Sequence, residues 1–168
     1  MKGKAIKVKE VMTSTPYTCR RETNLGEATE LMWKGNCGFL PMTGPDGKVC
    51  GVITDRDICI ALGTRNKLAA EVTAGEVVPD GTLFACSPED EIHVALLTMR
   101  EGKVRRLTVT DSDGKAVGVL SMDDVLLHAE PSGSGKLVEL STDEVVRSYR
   151  AINQRELPQT VNKQAVAA

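Results

Sequence analysis

One stretch of this chain is written twice. The segment Gly51-Val52-Ile53-Thr54-Asp55-Arg56-Asp57 returns 67 positions later as Gly118-Val119-Leu120-Ser121-Met122-Asp123-Asp124. The same offset, carried backwards without a gap, pairs Asp46-Gly47-Lys48 with Asp113-Gly114-Lys115. It also pairs Leu40 with Leu107, Gly35 with Gly102, Met32 with Met99, Ala28 with Ala95 and Cys19 with Cys86. From Glu10 to Asp57, 15 of 48 positions are identical to their counterparts, where average composition supplies about 3. A repeat of this length constrains the fold strongly, because each copy must be one supersecondary unit.

The unit reads alike in both copies. Leu25, Ala28, Leu31 and Met32 recur at helical spacing, as do Ile92, Ala95, Leu96 and Met99. Gly35 and Gly102 follow as helix stops. Short apolar runs flank Asp46-Gly47 and Asp113-Gly114, the signal of a β-hairpin. A second helix is predicted from Asp55 to about Leu62, and from Met122 to about Ala129. Short extended segments, Tyr17-Thr18-Cys19 and Phe84-Ala85-Cys86, lead into the two units. The fold class is α/β, with a small sheet and two helices per repeat.

Aromatic residues make up only 3% of the chain and hydrophobic residues 41%, so the core must be aliphatic. A formal charge of -2 supplies no general attraction to nucleic acid or to membrane. The five cysteines, Cys19, Cys37, Cys50, Cys59 and Cys86, include no CxxC pair. With no signal peptide or long apolar run, they read as reduced thiols of a cytoplasmic protein. Cys50 and Cys59 lie in apolar runs, where burial would make them inert. His93 and His128 lack neighbours at metal-ligand spacing, and Trp33 reads as covering the edge of its helix. No catalytic constellation stands out, so the chain is read as no enzyme.

The tail departs from the repeat. Pro131-Ser132-Gly133-Ser134-Gly135-Lys136 is a flexible linker by composition and lacks the frame of a phosphate-binding loop. Ser141-Thr142-Asp143-Glu144 is a capping box, after which Val145, Val146, Tyr149 and Ile152 give one apolar side as far as about Gln154. The linker implies that this helix is loosely tethered. The expected organisation is repeat 1 at 8–63, a connector at 64–76 and repeat 2 at 77–130. A linker at 131–136, a C-terminal helix at 137–156 and a disordered tail at 157–168 follow.

The sharpest local pattern is Gly-x-x-[Thr/Ser]-x-x-Asp, present in both copies. By itself, Thr54 with Asp57, or Ser121 with Asp124, is an acidic variant of the capping box. The same residues close a strand-to-helix turn, where amides and a positive dipole end suit phosphate, and an adjacent Asp suits ribose hydroxyls. A unit running from Val11-Met12-Thr13 through Leu40-Pro41-Met42 and Asp46-Gly47-Lys48 to Gly51-Val52-Ile53-Thr54-Asp55-Arg56-Asp57 resembles a CBS domain, and the second copy resembles its tandem partner. Pro79 departs from the pattern where the first copy has Met12, as does Thr108 where it has Pro41.

The resemblance implies two repeats about a pseudo-two-fold axis, a homodimer, and adenine nucleotides (AMP, ADP, ATP or NAD) held in clefts between the copies. No required cofactor and no metal are implied. It also implies crossed sites. One combines Thr54, Asp55, Arg56 and Asp57 with Phe84, Val104, Arg105 and Arg106. The other combines Ser121, Met122, Asp123 and Asp124 with Thr13, Tyr17, Cys37 and Gly38. Ribose contacts fall to Asp57 and Asp124, and phosphate contacts to Thr54 and Ser121. The arginine pair suits phosphate and makes the clefts unequal. The expected function is a sensor relaying its state to an unknown downstream protein. The alternative is a dimeric interaction scaffold with vestigial clefts.

Overall fold

A computed structural model describes residues 5–78, 83–131 and 138–154. Pro79, most of the predicted linker and the tail 157–168 lie outside the described residues. The described residues form seven α-helices and seven strands, the strands arranged as two sheets. Strands β2 (Cys19–Arg20), β3 (Phe39–Thr43) and β4 (Val49–Thr54) form one; β1 (Thr13–Ser14), β7 (Ala116–Ser121), β6 (Arg106–Thr110) and β5 (Ala85–Cys86) form the other.

The repeat is reproduced down to the register. Antiparallel β3 and β4 pair Leu40 with Ile53, as β6 and β7 pair Leu107 with Leu120. An irregularity between Met42 and Thr43 recurs between Val109 and Thr110. In each hairpin the turn glycine, Gly47 or Gly114, adopts a left-handed φ near +80° (77° and 80°), which glycine accepts without a Cβ penalty.

Each hairpin carries two helices on its apolar face. Helix α2 (Leu25–Lys34) is capped by Asn24, which accepts from the Glu27 amide, and buries Leu25, Ala28 and Met32. Its counterpart α5 (Ile92–Gly102) buries Ile92, Ala95, Leu96 and Met99. Fully burying such an aliphatic side chain contributes about 1.5–3 kcal/mol. Helix α3 runs from Asp55 to Arg65, beyond the predicted Leu62, whereas α6 (Met122–Leu127) stops short of Ala129.

Helix α2 stops at Gly35 as expected, whereas α5 takes in Gly102 and stops at Lys103. The left-handed residues are Asn36 and Lys103, with φ of 45° and 50°, each one position after the glycine. Gly35 and Gly102 are required for another reason. A Cβ on Gly35 would stand 2.8 Å from the Tyr17 ring, and one on Gly102 would stand 2.7 Å from the Phe84 ring. The glycines let an aromatic ring of the lead-in segment lie against the helix end.

The segments preceding the two copies are exchanged. Helix α1 (Val8–Val11) buries Val8 and Val11 in the core of the second repeat, and β1 pairs with β7. The connector returns the exchange. After a 3-10 turn at Ala69–Glu71, Val72 and Ala74 (the latter opening helix α4, Ala74–Val77) are buried in the core of the first repeat. The Leu25 amide donates to the Val72 carbonyl as the Ile92 amide donates to that of Ile6. Each core is therefore completed by chain written beside the other copy.

The C-terminal helix α7 (Thr142–Asn153) is not loosely tethered. Leu140, Val145 and Ile152 are buried in the second core with Ile92, Met99, Met122 and Val125. The helix runs alongside α5 in the same direction. His93 Nδ1 lies 2.9 Å from Glu144 Oε1 near its start, and Lys103 Nζ donates to the Gln154 carbonyl at 3.1 Å near its end.

Candidate functional site

Strand β4 ends in Thr54, and its hydroxyl begins α3. Thr54 Oγ1 accepts from the Asp57 amide at 3.2 Å, and Asp57 Oδ2 accepts from the Thr54 amide at 2.9 Å and from its hydroxyl at 2.6 Å. Ser121 and Asp124 build the same box at the head of α6, with distances of 3.1, 2.9 and 2.6 Å. Each box stabilises its helix start by about 1 kcal/mol. Both bonds to Asp57 end on Oδ2.

The amides of the turn are not vacant, contrary to the sequence expectation. Asp55 N donates to the Gly38 carbonyl, Arg56 N to Asp55 Oδ1 and Asp57 N to Thr54. Met122 N likewise donates to the Arg105 carbonyl. The hydroxyl protons of Thr54 and Ser121 are committed to their acids. A phosphate here must be met by side chains, and the neighbouring side chains are basic.

Thr54, Asp55 and Arg56 line a cleft of about 740 Å³ whose opposite wall is Phe84, Val104, Arg105 and Arg106. Asp57, the cap in the first turn of α3, does not itself line the cleft. The cleft also takes in Gly38, Phe39, Val52, Lys103 and the end of α7 at Ile152, Asn153 and Gln154. Arg56, Lys103, Arg105 and Arg106 set four cations against the single carboxylate of Asp55. A site of that charge favours an anion, and the guanidinium fork favours phosphate in particular. Phe84, held against Gly102, presents a half-buried ring that suits a flat apolar group. Sequence reasoning missed Lys103 and the α7 residues. The place of Lys103 directly before Val104-Arg105-Arg106 was the available signal for the first; nothing local marked the second.

The other predicted set is placed differently. Thr13 is exposed on β1, opposite Val119, and the Tyr17 ring lies against Gly35. Met122 is 1% exposed, its side chain part of the second core rather than of a cleft wall. Asp123 Oδ1 accepts from the Tyr149 hydroxyl at 2.8 Å, so the tail helix engages this copy's turn. Burial raises the Tyr149 phenol above its ordinary pKa, with the Asp123 contact adding to the effect. Cys37 and Gly38 line an adjoining groove of about 480 Å³ between α2 and α3, and Gly38 lines the first cleft as well.

The thiols also depart from expectation. Cys59 is exposed and Cys50 half-buried, while the repeat-equivalent Cys19 and Cys86 are buried. Desolvation pushes Cys19 up to about 11 and Cys86 up to about 12. Among the described residues no cluster of His, Cys, Asp and Glu is arranged to hold a metal, and no helix is long and apolar enough to cross a membrane.

A family model described as "CBS domain" matches residues 8–64 and again 74–130. The crystal structure of a hypoxic response protein I with two coordinated zinc ions superposes with a TM-score of 0.67 at 26% identity, covering 74% of this chain and all of that one (100%). A CBS domain protein from Pyrobaculum aerophilum complexed with AMP superposes with a TM-score of 0.64 at 25% identity, covering 71% and 90%. Among curated proteins, an L-aspartate semialdehyde sulfurtransferase of Methanocaldococcus jannaschii is 29% identical over 125 residues, 74% of this chain but 23% of that protein. The chain thus spans less than a quarter of the relative.

Proposed function

The chain belongs to the CBS domain family, and from that premise we propose that it is a cytoplasmic, non-enzymatic regulatory module. It binds an adenine nucleotide (AMP, ADP, ATP or NAD) between its repeats, forms a homodimer and relays its ligand state to a separate protein. The observation that carries this reading is the crossed cleft, where Thr54, Asp55 and Arg56 of one repeat face Phe84, Val104, Arg105 and Arg106 of the other. Arg105 and Arg106 receive the phosphate, Phe84 and Val104 the base, and Asp57 a ribose hydroxyl. The AMP complex of the Pyrobaculum aerophilum protein supports the ligand class. Binding shifts the balance between conformations of the module only as far as the ligand prefers one of them.

Calorimetric titration with AMP, ADP, ATP, NAD and S-adenosylmethionine tests the reading. At least one adenine nucleotide binds and raises the melting temperature, as native-state binding must. Absence of heat and of thermal shift with all five refutes it. That outcome favours the scaffold reading, which the exposed apolar residues Trp33, Ile60 and Leu127 support.

A further inference from the structure

The cleft has one wall that the repeats do not supply. The family match ends at residue 130, yet Ile152, Asn153 and Gln154, at the end of α7, line the cleft with Lys103, Arg105 and Arg106. That is the carbonyl end of a 12-residue helix, where unpaired C=O groups and the negative pole of the helix dipole gather. Lys103 Nζ meets it, donating to the Gln154 carbonyl at 3.1 Å. Further up the helix, the Tyr149 hydroxyl donates to Asp123. The charges of Arg105 and Arg106 reach that phenol as well, opposing the rise that burial and Asp123 impose on its pKa. The end of α7 therefore lies against the arginine pair as well as against Lys103.

Lys103 is an unexpected residue for its backbone. It closes α5 with a left-handed φ of 50°, and Asn36, its counterpart in the first repeat, follows α2 with a φ of 45°. Asn is among the non-glycine residues that accept this conformation most readily, whereas lysine carries a steric cost there. What lysine adds is an exposed side chain whose ammonium is shared between the cleft and the helix end.

We propose that Lys103 is the switch through which a phosphate in the cleft reaches α7, and that the end of α7, residues 150–154, is the output of the module. A phosphate brings full negative charges, which an ammonium prefers to the partial charge of a carbonyl. It therefore draws Lys103 Nζ away from Gln154. The helix end loses its counter-charge and faces an anion across the cleft, so the turn loosens and uncovers Ile152, which is buried in the second core. Leu140 and Val145, in the same core, hold the earlier turns in place. The identity of the anion rests on the nucleotide reading; the Lys103 switch does not.

Hydrogen exchange read by mass spectrometry on the full chain tests the switch, with AMP and, separately, pyrophosphate as probes. Each anion slows exchange around Arg105 and speeds it at residues 150–154 by at least about 5-fold, the lower end of the usual coupling between sites. Lys103→Asn keeps the turn that Asn36 already makes in the first repeat and removes the ammonium. In that variant residues 150–154 exchange fast without ligand, and neither anion changes them further. Unchanged or slowed exchange at 150–154 with AMP bound overturns the switch, as does an anion effect that survives in Lys103→Asn. Fast exchange of the turn in the unliganded native chain overturns it as well, and so does the absence of any response to either anion. A response to pyrophosphate without binding of AMP sustains the switch and defeats the nucleotide reading alone.

Discussion

Replacing Asp57 and Asp124 by Ala, one at a time, separates capping from ligand binding, because the two boxes agree to within 0.1 Å. Thr54 Oγ1 and Ser121 Oγ lie 3.2 and 3.1 Å from the amides they accept, and the acids lie 2.9 and 2.6 Å from theirs in both copies. Each substitution removes a cap worth about 1 kcal/mol. It also leaves a part-buried backbone amide without its acceptor, at about 1 kcal/mol more. The loss is about 2 kcal/mol for either variant, a fall in melting temperature of about 4–8 °C for a chain of this size. Affinity for AMP divides them. Asp57 caps the turn that lines the open cleft, so losing its charge-assisted bond costs about 1.5–3 kcal/mol, roughly 10- to 150-fold in Kd. Asp124→Ala should leave that Kd within about 2-fold, since neither Ser121 nor Asp124 lines the cleft. Scanning calorimetry and isothermal titration on the two variants supply the four numbers. Equal losses of affinity, or an unchanged Kd in Asp57→Ala at an equal loss of stability, would refute the role of Asp57 in the cleft.

Substituting Arg105 and Arg106 together by Ala should weaken AMP binding at least about 10-fold and flatten its salt dependence, measured by titration at two ionic strengths. Thr108 is fully buried in β6 and its hydroxyl has no partner among the described residues, so Thr108→Val should stabilise the protein by about 1 kcal/mol in urea unfolding. Removing everything from residue 138 onward should cost about 4.5–9 kcal/mol, because burying Leu140, Val145 and Ile152 contributes about 1.5–3 kcal/mol each; a truncated chain with an unchanged urea midpoint would contradict the docking of α7. At pH 8 a maleimide reagent should label Cys37 and Cys59 and spare Cys19 and Cys86, as mass spectrometry would show. The buried thiols have raised pKa values, so the stability linked to keeping them protonated is present below their ordinary value near 9.0. It is lost as pH rises through about 11 and about 12.

The sequence by itself determined the repeating unit and most of its elements. Apolar residues at helical spacing specify which face of α2 and α5 is buried, and Asp-Gly specifies the hairpin turn, because these signals lie within a few residues of the structure they encode. Both capping boxes were legible for the same reason. The resemblance carried by those residues gathered most of the first crossed set, and the structure places seven of its members on one cleft.

Tertiary structure decided what local signals do not contain. Periodicity marks Val8, Val72 and Val145 as apolar but cannot say which core receives them. Val8 crosses to repeat 2, Val72 to repeat 1, and Val145 joins repeat 2 despite the glycine-serine linker before it, because a core is completed by whatever chain the topology brings to its open edge. The amides at the head of α3 suit a phosphate by sequence, yet one of them is satisfied by the Gly38 carbonyl, far away along the chain and brought close only by the fold. The glycines at the ends of α2 and α5 answer to aromatic rings that only the folded chain sets against them. Two copies of one repeating unit thus acquired different surroundings, one covered by α7 and the other open around Trp33, since the tail can dock only once.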